Sequence, residues 1–348
     1  MAEQRTRRRR YRTGDKALDA EIAELVAGSG YKADSDILIQ LVTTCFRLAR
    51  DGSHRGEMKL VNAALKEFAY AFKVFKEYRG TRKVGIFGSA RSTPEDPNYE
   101  MSRKLGAAMA ERGWMVITGA GPGIMEAGHL GAGAERSFGA NIRLPLEADP
   151  NEVIEGDPKL INFKYFFTRK VTFLKESHAF VLLPGGFGTL DETFELLTLM
   201  QTGKSDLHPV VLLEAPGGTY WSDWRRFIDG CLTERSLISE EDTQLFRSTN
   251  SVENAVDEIE GFYRNYQSVR YVRGTLVVRV LRLPSKEALG RLGRQFADVL
   301  DKPELRVVEP SPQELAEDDA LDCKRIALSF NQRDNGRLRQ LIDELNKF

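Results

Sequence analysis

The sequence predicts an α/β protein: a doubly wound, mostly parallel sheet of Rossmann-like type, preceded by a helical layer and followed by a small α+β domain. Three observations carry this reading. Apolar runs of strand length alternate with helical patterns from Lys83 to about Tyr266, which calls for parallel strands joined by crossover helices on both faces of a sheet. Three of those runs end in glycine-rich turns that open the next helix, at Gly88, Gly119 and Gly185. Outside this stretch the alternation stops, with helical spacing before it and a mixed pattern after Arg273.

Taken in order, residues 1–14 are a basic tail containing Arg5, Arg7, Arg8, Arg9, Arg10 and Arg12. A disordered, solvated tail is expected of such a run, with an arm for nucleic acid or an acidic partner as the alternative. Residues 15–80 form a helical extension, with apolar residues at helical spacing over Ile37–Ala49 and Leu60–Phe75. Residues 81–270 are expected to form the Rossmann-like domain. Its strands are expected at Val84–Gly88, Met115–Thr118, Ala140–Leu144, Ala179–Leu183 and Pro209–Leu213. Helices are expected at Tyr99–Arg112, Ile124–Ala134, Thr168–Ser177, Leu190–Gln201, Ser222–Cys231 and Val252–Tyr266. Residues 271–348 make the α+β domain: strands at Thr275–Leu281, Leu305–Val308 and Arg325–Phe330, helices at Lys286–Leu300 and Arg337–Leu345, and an acidic loop over Pro310–Asp322.

The chain of 348 residues carries 50 Lys and Arg against 51 Asp and Glu, a formal charge of -1. No global attraction to nucleic acid or to a membrane follows from that balance. Cys45, Cys231 and Cys323 are too scattered for a disulfide framework, and a reducing, cytoplasmic setting is expected. No apolar run reaches membrane-spanning length, and the basic start lacks the apolar segment of a secretory signal. His54, His129, His178 and His208 lack ligand spacing, so no metal is expected.

The chemistry concentrates in Pro184-Gly185-Gly186-Phe187-Gly188-Thr189-Leu190-Asp191-Glu192. The glycines fall in a strand-to-helix turn, where the first helical amides have no internal partner and an anion can approach the backbone closely. Glu192 follows one turn into the helix. The turn at Gly119-Ala120-Gly121-Pro122-Gly123 does not fit the dinucleotide fingerprint, because Pro122 interrupts it, and no Lys-Ser/Thr pair makes it a Walker loop. Any one of the three turns is equally well a tight chain reversal. Three at the carboxyl ends of one sheet mark the place where open α/β sheets bind ligands.

These segments carry a resemblance. With Arg169-Lys170, Phe87-Gly88-Ser89-Ala90-Arg91 and Gly121-Pro122-Gly123-Ile124-Met125-Glu126-Ala127, the chain resembles the LOG-type nucleotide phosphoribohydrolases, often labelled lysine decarboxylase-like, over about Thr81–Gly261. The resemblance implies hydrolysis of the N-glycosidic bond of a nucleoside 5′-monophosphate, releasing free base and ribose 5-phosphate. It implies Arg169 and Glu192 as catalytic residues, and Ser89, Gly121, Gly123, Glu126, Lys170, Gly185, Gly186, Gly188 and Thr189 around the phosphate and nucleotide. The helical extension and the domain after Arg273 depart from the short cytokinin-activating members and leave the base open. The resemblance also implies a homodimer or higher homo-oligomer; membrane and nucleic-acid partners are not expected. Lys170 alone does not make a pyridoxal site, and no cofactor is expected. A nucleotide-binding carrier or sensor of the same fold, without turnover, is the alternative.

Overall fold

The computed structural model describes residues 11–143 and 149–348. Residues 1–10 of the basic tail and Leu144, the end of one expected strand, lie outside the described residues. The chain divides into two compact units, Met1–Glu67 and Phe68–Phe348.

The first unit contains α1 (Lys16–Gly28), α2 (Ser35–Arg50) and most of α3 (Arg55–Phe75). Asp15 caps α1 by accepting from the amides of Ala17 and Leu18. Ile22 and Val26 of α1 are buried. Ile37, Leu41 and Phe46 of α2 are exposed, as are Met58, Leu60 and Leu65 of α3. A groove of about 430 Å³ between α2 and α3 is lined in part by Leu48, Met58, Val61 and Leu65.

The second unit is built on a seven-stranded sheet: β1 (Lys83–Phe87), β2 (Met115–Thr118), β3 (Ser137–Ile142), β4 (Leu160–Phe163), β5 (Ala179–Leu182), β6 (Val210–Leu213) and β7 (Arg247–Thr249). The order is β4-β3-β2-β1-β5-β6-β7, and every pairing is parallel. β1, β2, β5 and β6 are buried along their whole length, so they read as continuous apolar runs. β4 and β7 were not expected from sequence. Both are edge strands; β7 is the polar tripeptide Arg-Ser-Thr, and β4 interrupts its apolar run with exposed Asn162. Between β1 and β5 the strand order reverses, creating the crevice in which such sheets bind ligands.

Among the described residues, α4 (Pro97–Glu111), α5 (Ile124–Ala132), α6 (Phe166–Glu176), α7 (Phe187–Gln201) and α8 (Tyr220–Phe227) connect these strands, and α9 (Val252–Phe262) follows β7. The strand alternation shares them between two faces. Ile86 of β1 points at Gly128 of α5, while its neighbour Phe87 packs at a tilt against Phe173 of α6. α4 and α5 touch backbone to backbone through glycines: a Cβ on Gly106 would lie 2.2 Å from the Gly128 carbonyl oxygen, and one on Gly131 1.9 Å from that of Arg103. α7 begins at Phe187 rather than Leu190, so Gly188 and Thr189 belong to its first turn.

A four-stranded antiparallel sheet follows in the order β10-β11-β9-β8, with β8 (Tyr266–Val272), β9 (Thr275–Val280), β10 (Arg306–Val307) and β11 (Lys324–Leu328). The domain boundary expected at 270/271 falls inside β8. β8 and β9 join through Arg273-Gly274, both at positive φ (+50° and +83°), the geometry that closes a two-residue hairpin. The helices here are α10 (Lys286–Gln295), α11 (Pro312–Glu317) and α12 (Asn335–Leu345). α11 lies within the segment expected to be an acidic loop: Ser311 and Glu314 form a reciprocal capping box, and Glu314 is buried against Arg279 and Arg325 at 2.6 and 3.1 Å. Just past α12, Asn346 accepts from the amides of Asn265 and Tyr266 (3.0 and 2.8 Å) and donates to the Phe262 carbonyl (2.7 Å), tying the chain end to α9 and β8.

The α4–α5 contact yields a stability prediction. Gly131→Ala forces the two helices apart and is expected to cost about 2–3 kcal/mol. Urea unfolding measures it; a loss below about 0.5 kcal/mol would show that the helices separate without penalty.

Candidate active site

The three glycine-rich turns meet at the carboxyl ends of β1, β2 and β5. Their junction is Ser89. Its amide donates to the Pro184 carbonyl and its carbonyl accepts from the Ile124 amide, both at 3.0 Å. The Ser89 hydroxyl accepts from the Arg91 amide at 3.0 Å and shapes the β1 turn locally. Glycine is required where the turns touch. A Cβ on Gly88 would lie 2.6 Å from the Ile124 side chain, and one on Gly123, which also has φ +71°, 2.4 Å from the Ser89 carbonyl. A Cβ on Gly185 would lie 2.2 Å from Thr189 Oγ1 and 2.9 Å from the Ser89 amide nitrogen.

At α7 the geometry is that of an anion seat. Its N-cap is Gly186, which has no side chain to cap with, and the first turn carries no acidic residue. Gly186, Phe187 and Gly188 are exposed, Thr189 is buried, and the first amide bonded within the helix is that of Leu190, to Gly186. The amides before it and the positive end of a 15-residue helix face outward beside the crevice. Tyr220 fixes the preceding peptide by donating from its hydroxyl to the Gly185 carbonyl at 2.7 Å. The first amide of α5, by contrast, is already taken by Ser89. Gly123 therefore serves the contact between turns, while Gly121 lies against the Met125 side chain.

Arg169 reaches across α6 to the ends of β2 and β3. Its Nε donates to the Ala140 carbonyl at 2.9 Å, its guanidinium lies over the Phe173 ring, and a Cβ on Gly119 would come within 2.6 Å of its Nη2. Glu192 lines a small apolar cavity with Phe87, Phe173, Leu174, Phe180, Leu182, Glu195 and Leu196. Burial there pushes its carboxyl up to about 7, against the opposing pull of Arg169 and Lys170. Lys170 lies between two carboxylates, 2.7 Å from Asp191 and 2.6 Å from Glu195. Burial alone would lower its pKa; the bonds to those two partners hold it above the ordinary lysine value. Glu126 faces Tyr99 of α4, whose hydroxyl is raised by burial and then by the charge and hydrogen bond of Glu126. Ser89, Gly123, Gly185 and Thr189 thus touch one another, and Arg169, Lys170 and Glu192 form a second, charged group. Glu126 stands on the α4 side.

Sequence reasoning missed the brace beneath the β2 turn. Ala120 is held at φ +64°, a strained conformation for a residue with a Cβ. Asn151, thirty-one residues on, braces this turn through three bonds: its backbone amide and Nδ2 both donate to the Ala120 carbonyl (2.8 and 3.0 Å), and Nδ2 also donates to the Gly121 carbonyl at 3.0 Å. His129 is buried beside Asn151, with Nε2 3.0 Å from both the Phe138 carbonyl and the Thr118 hydroxyl. Burial lowers its pKa to about 4, so near neutral pH it is an uncharged spacer whose Nε2–H donates to Phe138. No local motif announces a brace made of residues this far apart. Among the described residues, no group of three or more His, Cys, Asp or Glu side chains could hold a metal ion, and no helix is long and apolar enough to cross a membrane.

A family model described as possible lysine decarboxylase matches residues 110–259. A cytokinin riboside 5′-monophosphate phosphoribohydrolase of Mycobacterium tuberculosis is 31% identical over 155 residues, covering 44% of this chain and 80% of that protein. The enzyme of the same name, LOG1, of Arabidopsis thaliana is 36% identical over 101 residues, covering 29% of this chain. Here the chain spans less than half of its relative, 46% of the plant protein's length. A solved molybdenum cofactor binding protein from Rippkaea orientalis is 20% identical with a TM-score of 0.38, covering 52% of this chain and 96% of that one. With 31% identity sustained over 80% of the mycobacterial enzyme, the chain belongs to the LOG-type family, whose model bears the description possible lysine decarboxylase.

Proposed function

We propose that the protein hydrolyses the N-glycosidic bond of a nucleoside 5′-monophosphate. The observation that carries this reading is Glu192: a carboxyl raised to about 7 in an apolar cavity, coupled to Arg169, on the helix whose open N-terminus suits a phosphate. In the reaction the bond between C1′ and the base nitrogen breaks, water supplies a hydroxyl to C1′, and the base leaves with a proton from solvent, to which Glu192 returns the one it takes from that water. The transition state carries positive charge at C1′. The Glu192 carboxylate stabilises that charge and takes the proton of the attacking water, a task suited to a group titrating near neutrality. The fixed guanidinium of Arg169 receives the electron density gathering on the leaving base. The first turn of α7, with Gly185, Gly186, Gly188 and Thr189, seats the 5′-phosphate.

Incubation with AMP, GMP, CMP, UMP and a cytokinin monophosphate tests this, with chromatography of the free base. Release from at least one is expected. Tight binding without any product would instead make the protein a nucleotide carrier. Because the ionised form of Glu192 acts, kcat should rise with pH and level off above about 7. A flat profile between pH 5.5 and 8 would remove Glu192 from the rate-determining chemistry.

Glu192→Gln separates activity from stability. Loss of the carboxylate is expected to lower kcat by roughly 10²–10³ while nucleotide binding persists. The stability effect has the opposite sign. Glu192 has its folded pKa raised from the ordinary 4.5 to about 7, so the native state holds its proton more tightly and loses stability as pH climbs through that window. Above pH 7 the full cost of the buried charge is present, and the variant should be more stable by about 1–3 kcal/mol. Thermal unfolding at pH 5 and pH 8 checks it; an advantage that did not grow between the two would contradict the assignment.

The exposed apolar residues on α2 and α3, and separately Phe166, Phe167 and Val171 on α6 with Phe187 on α7, support a homodimer or larger homo-oligomer. Light scattering at micromolar concentration should give at least twice the chain mass of 39.2 kDa; a single-chain mass would refute it.

A further inference from the structure

α6 and α7 bring five charged side chains to the edge of the Glu192 cavity: Arg169 and Lys170 from one helix, Asp191, Glu192 and Glu195 from the other. The strands packed beneath contribute Phe87, Phe180 and Leu182, and α6 adds Phe173 and Leu174, none of them titratable. The charges facing Glu192 are therefore two cations and two further carboxylates. Lys170 is 12% exposed, and its ammonium sits within 2.7 Å of both carboxylates. One of these immediately precedes Glu192 and the other follows it by three residues.

We propose that Lys170 is a positioning residue rather than a ligand of the substrate phosphate: it clasps Asp191 and Glu195 across the α6–α7 contact and so shields Glu192 from its two nearest like charges. This rests on the reading of Glu192 as the acting carboxylate. With the ammonium removed, two carboxylates on the same helix face would oppose ionisation of Glu192, adding to the burial that already opposes it. Glu192 would then stay protonated at neutral pH and lose the charge the reaction requires. The clasp also fixes the spacing of the two helices that carry Arg169 and Glu192. Its ammonium is already occupied by two partners and held in the charged form by them.

The test is the titration of Glu192 itself, read by NMR of ¹³C-carboxyl-labelled glutamate and assigned by the signal lost in Glu192→Gln, together with the pH profile of kcat. In Lys170→Met the midpoint should rise by about one pH unit, leaving about fivefold less ionised Glu192 at pH 7. Lys170→Arg keeps the cation and should leave the midpoint near the wild-type value. Glu195→Gln added to Lys170→Met should bring it back down. Should Lys170→Met not fold, Lys170→Met/Asp191→Asn/Glu195→Gln removes the clasp without stranding a buried charge, and its midpoint should fall at or below wild type. A midpoint unchanged in Lys170→Met, with KM raised tenfold or more, would overturn the proposal and make Lys170 a phosphate ligand. If the wild-type protein releases no base from any nucleotide, the proposed reaction fails, while the NMR midpoints still decide the role of Lys170.

Discussion

The peptide of Ser89 ties together the working end of this molecule. Parallel strands leave their sheet toward different helices, and nothing in the ladder obliges the loops beyond the strand ends to stay in register. Here two 3.0 Å hydrogen bonds extend the pairing of β1 past its last residue, to Pro184 on one side and to the start of α5 on the other. The N-termini of α5 and α7 are thereby set relative to each other by backbone, which does not change rotamer. The arrangement is possible only because Gly88, Gly123 and Gly185 leave no Cβ in the way. Each bond contributes modestly to stability, about 1 kcal/mol. Their geometric effect is larger, since every side chain of the candidate site hangs from one of the three turns or from the helices flanking them.

Around that frame the site separates its electrostatics into two regions. An exposed backbone seat at α7 offers partial positive charge without a side chain. Behind it, aromatic and leucine side chains desolvate Glu192, while Arg169 and Lys170 prevent burial from neutralising it altogether. A carboxyl titrating near 7 is thus a balance of an apolar wall against two nearby cations. Ala120 and the Asn151–His129 brace beneath it show the same pattern in the backbone: a strained turn held in place by buried hydrogen bonds from residues outside it.

Sequence made the central architecture legible because burial on both faces writes itself as uninterrupted apolar runs. Val84–Phe87, Met115–Thr118, Ala179–Leu182 and Val210–Leu213 are such runs, and each is a central strand. The edges were opaque for the converse reason. β4 and β7 are short and partly polar, stabilised by a neighbour instead of by composition. β8, with Ser268 and Arg270 in it, hid behind the end of α9. Helix α11 was masked by acidic residues, one of which turns inward to meet two arginines. The glycine turns were visible as punctuation, but their division of labour was not. Composition could not say that one of them receives an open helix terminus while another is spent on the Ser89 carbonyl. Lys170 shows the limit most clearly. Nothing in the sequence beside Arg169 announces the two carboxylates on the next helix that meet the Lys170 ammonium.

Asn346, just past α12, satisfies buried backbone groups of Phe262, Asn265 and Tyr266, eighty or more positions upstream. During synthesis those groups have been made long before their partner exists. Until Asn346 has emerged from the ribosome, α9 and β8 must keep these groups hydrated or loosely paired, and the closing of this junction waits for it. A substitution that removes the Asn346 amide therefore leaves open polar groups at the junction of α9 and β8, where a quality-control protease finds its first grip.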